Sequence, residues 1–197
     1  MKTKKILETV VFAAALMTGH ASAAPISLQG SIITSSYNGS PDGMLGLEHG
    51  FAAEPGSNIV TMDNADPVGV EFLTSDVLFG FDFSLDGQLR VYMNDLAMAP
   101  GDYRVVFDFG TTLAQKIGSF ALLDTSGIGV QPTLSILNDH SIALDLSSVT
   151  WNDAFGSFTA QIGTVDVPEP GGIGLLLAGA TGLALARTRR RKARAQG

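Results

Sequence analysis

Outside the first 23 residues, the side chains able to do chemistry are two histidines, several serines and an abundance of carboxylates. His49 stands in a glycine-rich stretch and His140 follows Asn138-Asp139, the setting of turn residues facing solvent. No HExxH or paired-histidine spacing accompanies them, so no metal ligands are assigned. Asp82, Ser84 and Asp86, followed by Gly87, match the first half of a calcium-binding EF-hand loop. Position twelve, however, is Met93 where a bidentate glutamate is required, and the flanks read as strands. Asp63, Asn64 and Asp66 before Pro67 form a looser cation-binding candidate on an acidic surface. No Gly-x-Ser-x-Gly elbow or phosphate-cradling glycine loop is present, and no serine has an evident base. Paired carboxylates for glycoside chemistry stay open, because nothing singles out two of the acids. Trp151, the sole tryptophan, offers a sugar-stacking platform or a core anchor, with Tyr37 and Tyr92 as weaker platforms. The reading is a non-enzymatic protein: no catalytic, cofactor-binding or metal residue is assigned.

The elements that must position these residues are strands. Short runs alternate at period two, rich in Val, Ile, Phe and Thr, and break at Gly, Asn, Asp and Pro. Strands are expected at Ile26–Ser35, Asn58–Met62, Val68–Leu73, Val77–Ser84, Gln88–Asn94 and Tyr103–Phe109. Four more follow at Ile117–Leu123, Thr133–Leu137, Ser141–Leu146 and Phe155–Thr164. About ten strands with turn signals between them predict an all-β chain, an antiparallel β-sandwich or jelly-roll-like domain. Residues 37–67, with scattered apolar positions, read as long loops holding one or two short strands.

The hairpin over residues 77–94 can be specified further. Phe79, Phe81 and Phe83 share one face, and Leu89, Val91 and Met93 share one across the turn. A two-residue Asp-Gly loop would set Phe83 beside Arg90. A three-residue loop, Leu85-Asp86-Gly87, pairs Phe83 with Leu89 and puts Gly87 in the left-handed region. The three-residue loop is the prediction.

Both ends of the chain carry separate signals. Lys2, Lys4 and Lys5 precede the apolar run Val10–Met17, and Ala21-Ser22-Ala23 supplies small residues at −3 and −1. Residues 1–23 therefore read as a secretory signal peptide cut by signal peptidase after Ala23. The 143 residues from 24 to 166 suffice for one extracellular domain. This stretch holds three basic residues against 17 acids, a net charge near −14 where the whole chain carries −7. Such a surface repels nucleic acid, which is excluded as a partner. The chain has no cysteine, so thiol catalysis is excluded and no disulfide supports the domain. Residues 163–167 read as a short exposed linker.

At the other end, Val167-Pro168-Glu169-Pro170 precedes 16 uncharged residues, Gly171–Ala186. As a helix this run would reach about 24 Å, slightly short of a full membrane span. Arg187, Arg189, Arg190, Arg191, Lys192 and Arg194 follow and stay cytoplasmic by the positive-inside rule, leaving the acidic domain outside. Paired prolines hold the motif extended and stop the helix from starting early.

Triplet, apolar helix and arginine cluster together resemble the PEP-CTERM sorting signal, here residues 167–194. The resemblance covers none of the β domain. It implies that an exosortase of a Gram-negative bacterium reads Pro168, Glu169 and Pro170, removes the transmembrane helix, and delivers the protein to the cell surface. There an exopolysaccharide-rich biofilm matrix would be its surroundings. Gly171-Gly172 and the Thr188 interruption of the basic cluster depart from the usual pattern. The expected role is a secreted, exosortase-processed surface or matrix protein. A carbohydrate-binding or calcium-assisted adhesive module is the alternative, and a glycan-active enzyme comes after it.

Overall fold

The computed structural model describes residues 23–63, 69–95 and 98–165. The chain divides between Asp166 and Val167, and every described residue belongs to the first unit. Thirteen strands form antiparallel sheets, and the only helical pieces among the described residues are single 3-10 turns. No helix of the described residues is long and apolar enough to cross a membrane.

In chain order the strands are β1 (Ile32–Tyr37), β2 (Met44–Gly46), β3 (Ile59–Thr61), β4 (Phe72–Thr74), β5 (Phe79–Phe83), β6 (Gln88–Met93) and β7 (Arg104–Asp108). They continue as β8 (Ile117–Asp124), β9 (Ile128–Val130), β10 (Thr133–Asn138), β11 (Ser141–Asp145), β12 (Thr150–Trp151) and β13 (Ser157–Thr164). One sheet has the order β10-β11-β7-β1-β3, another β2-β4-β5-β6-β13-β8, and β12 pairs with β9 as a small ribbon.

The two larger sheets meet through alternating apolar residues, as a sandwich-like core requires. Phe107 of β7 lies against Phe72 of β4 and Phe81 and Phe83 of β5, with ring centroids 5.7, 5.2 and 4.9 Å away. The expected hairpin register is observed: Phe83 faces Leu89, Phe81 faces Val91, and Gly87 sits at φ +79°. Ser84 N–H donates to the Gln88 carbonyl, which closes the three-residue loop.

Three expectations need correction. The strand expected at 26–35 starts only at Ile32. Gly30 takes φ +73°, and Ser31 N–H turns back to the Leu28 carbonyl, so the extended run breaks there. Ile26 and Leu28 are nevertheless fully buried. Two very short strands, β9 and β12, were not expected, since two or three residues cannot show an alternation, whereas β2 falls where residues 37–67 were expected to hold one or two short strands.

The linker expected at 163–167 is in part sheet. β13 runs to Thr164, and Gly163 is buried so tightly that a Cβ would lie 3.1 Å from that of Ala23. At that point β6 has ended, and the N-terminal segment takes its place beside β13. Thr164 N–H donates to the Ala24 carbonyl at 2.8 Å, and Ile26 N–H to the Ile162 carbonyl at 3.2 Å.

Candidate functional site

A cleft of about 740 Å³ lies at the loop end of the β5–β6 hairpin. The end of β5 supplies Asp82, and the turn after it supplies Ser84 and Asp86. The segment after β3 supplies Asp63, the 3-10 turn Leu47–His49 supplies Glu48, and the approach to β4 supplies Glu71. Val60, Met62, Phe83 and Leu85 form its apolar part. The two acidic stretches singled out from sequence, around Asp63 and around Asp82, are thus brought into one cleft. Asn64, Asp66 and Pro67 lie outside the described residues.

Most of these carboxylates have structural work. Glu48 Oε1 accepts the Thr61 N–H at 2.5 Å and ties the 3-10 turn to β3. Buried Glu71 accepts the Phe83 N–H at 2.5 Å, holding the approach to β4 against β5. The Ser84 hydroxyl donates to Asp86, and Gln88 Nε2 donates to the same carboxylate at 3.3 Å. Asp82 accepts from the Tyr92 hydroxyl at 3.3 Å, while Arg90 lies 5.1 Å over the Tyr92 ring. Among the described residues, no group of three or more His, Cys, Asp or Glu side chains is arranged to hold a metal ion.

Burial pushes the Asp82 carboxyl above its usual range, although the Tyr92 hydroxyl and Arg90 both favour the charged form. Its folded value is raised, so the ionised group weakens the fold at neutral pH, and this penalty disappears as pH falls through the folded value. Asp124 and Asp145 work in the opposite direction. Hydrogen bonds from Ser126 and from Ser147 hold them below the usual range. Their stabilising share is present above the unfolded carboxylate range and is lost as pH falls through the folded values. Asp82→Asn is therefore expected to raise the urea midpoint at pH 7 and to lose this advantage near pH 3. An equal gain at both pH values would show that the desolvated charge is not the cause.

The remaining sequence candidates fall elsewhere. His49 Nδ1 lies 2.6 Å from Glu54 Oε1 on the surface, and His140 sits in the β10–β11 turn beside the Lys116–Asp139 ion pair. Trp151 packs between Phe79 and Phe158, with centroids 6.3 and 5.9 Å away, so it anchors the core and is no sugar platform. Its indole Nε1 is buried and finds no acceptor among the described residues. The Tyr37 hydroxyl donates to Asp76 at 2.9 Å, and burial raises its phenol far above the usual range. Of the processing residues only Ala23 is described; Ala21, Pro168, Glu169, Pro170 and the arginine cluster lie outside the described residues.

Sequence reasoning missed Glu48 and Glu71 as cleft residues. The usable signal was Glu71 itself, an acid between Val70 and Phe72 in a strand-like run. No protein-family model, curated protein or solved structure matches the chain.

Proposed function

We propose that this protein is a secreted, exosortase-processed component of a bacterial surface or exopolysaccharide matrix. Its folded domain, read as a β-sandwich, would serve a structural or interaction role and not an enzymatic one. The observation that carries the proposal is the tail. Pro168-Glu169-Pro170 stands directly before an uncharged 16-residue run that ends in Arg187 and the cluster after it. A plain membrane anchor needs the apolar run and the arginines but has no use for the triplet. The strongly acidic cargo without cysteine fits an extracellular setting in which solubility comes from charge. A second reading, a carbohydrate-binding module, draws support from the cleft, where apolar surface and hydrogen-bonding side chains face one concavity.

Fractionation with intact-mass measurement tests the sorting reading, in hosts with and without exosortase. The expected result is a shortened, surface-associated protein only where exosortase is present. Glu169→Ala should then leave the full tail in the inner membrane. An unprocessed tail in both hosts would overturn the proposal. A glycan array separates the two roles at the destination, since saturable binding to one sugar class favours the module.

A further inference from the structure

One side of the domain departs from the rest in charge. From Ile117 to Asn138 the sequence carries a single charged residue, Asp124, although the stretch 24–166 holds 17 acids. This stretch contains β8 and β10, and the topology makes each of them the edge of a large sheet. In the described residues β8 pairs only with β13, and β10 only with β11. The two edges are neighbours in space, and Ile117 N–H donates to the Asp139 carbonyl at 2.8 Å where β8 begins.

Each edge strand also turns a leucine outward. The ladder between β13 and β8 skips Leu123, and that between β11 and β10 skips Leu137. Bulges of this kind re-aim a side chain. Leu123 is 61% exposed and Leu137 45%, and Ile136 is exposed beside Leu137 in the sequence. Within residues 116–139 the charges stand at the two ends of β8, with Asp124 at one and the Lys116–Asp139 pair, at 2.5 Å, at the other.

We infer that this side, formed by β8 and β10, is the contact between two copies of the chain. The partner follows from three observations. A domain near −14 repels its own copies at its acidic faces, and this side, with one charged residue between Ile117 and Asn138, lets two of them approach. An open strand edge is complemented by another open edge, and here the edges of both large sheets lie side by side. Finally, β8 runs from Lys116 to Asp124, so an antiparallel two-fold arrangement brings Lys116 of one copy toward Asp124 of the other. The apolar centre with a charged rim is the usual anatomy of a protein interface. The inference is independent of how the tail is processed.

Light scattering on the uncleaved full chain in detergent micelles, corrected for bound detergent, tests it. The expected protein mass is twice the 20.5 kDa of one chain. Leu123→Glu with Leu137→Glu should halve that mass and leave the melting temperature unchanged. Ile59→Glu adds one carboxylate, as Ala121→Glu does, at an exposed position on β3, the opposite edge of the β10 sheet, and should leave the dimer intact. If the double variant has no melting transition, Ala121→Glu on the exposed part of β8 replaces it under the same expectations. A monomeric native chain at the highest concentration reached would overturn the inference. So would a dimer that survives the β8 and β10 substitutions, or one lost equally in Ile59→Glu.

Discussion

Phe107→Ala is expected to remove about 3–5 kcal/mol of folding stability, a large share of the roughly 5–15 kcal/mol that holds a domain folded. Phe107 is fully buried, and its ring meets Phe72, Phe81 and Phe83 across the gap between the two large sheets. Three of these rings therefore lose a partner together, and the cavity opens at the join of the layers. Edge-on aromatic pairs add about 0.5–1.5 kcal/mol each beyond area burial, so the cost should sit toward the upper end. No disulfide restrains the chain while the core loosens. Urea denaturation followed by fluorescence measures the effect. Phe155→Ala makes the same deletion at a ring that is 63% exposed and should change stability by less than about 0.5 kcal/mol. Equal losses at the two sites would mean that Phe107 does not join the sheets as described.

Gly87→Ala comes second in size. Gly87 has φ +79°, where an alanine costs about 1–2 kcal/mol from backbone sterics alone. A Cβ there would also lie 2.6 Å from Ile26 Cγ2, 2.8 Å from the Ile26 carbonyl oxygen and 3.0 Å from the Ile162 carbonyl oxygen. Two of those atoms are backbone and cannot turn aside. The N-terminal segment would have to lift, which adds about 1–3 kcal/mol of overpacking strain. Gly30→Ala provides the comparison, because Gly30 has φ +73° with nothing within 4 Å of the added carbon. It should show the conformational cost alone. Hydrogen exchange at the Ile26 and Thr164 amides should accelerate in the Gly87 variant and stay slow in the Gly30 variant.

Much of the fold was legible because the chain alternates cleanly wherever a strand has one buried face. The β5–β6 register followed from matching phenylalanines to aliphatics, which leaves a single loop length. Burial of Gly163 and Gly80 was illegible, since glycine carries no hydropathy and its environment comes from distant segments. Gly80 faces Val70 and Leu73, and Gly163 faces Ala23 and Ser119. The cleft was half legible. Its acids were visible as candidates around Asp63 and Asp82. Their convergence depends on β3 and the β5–β6 hairpin meeting at one end of the domain, a long-range fact that local pattern does not encode. Trp151 was open in sequence between platform and anchor, and only its contacts with Phe79 and Phe158 decide the matter.

The position of β13 bears on how the domain would carry tension. The chain leaves the described domain at Val165, directly after a strand flanked by β6 on one side and β8 on the other. Antiparallel hydrogen bonds run perpendicular to the strands, so a pull along β13 from Val165 loads both ladders in parallel. A terminus leaving from an edge strand pulled sideways would instead peel its bonds off one after another. The Ala24 and Ile26 contacts add to the load-bearing set at the end nearest the pull. β13, the last strand among the described residues, is thus placed to resist shear, the load that a pull on the C-terminal side of the domain would apply.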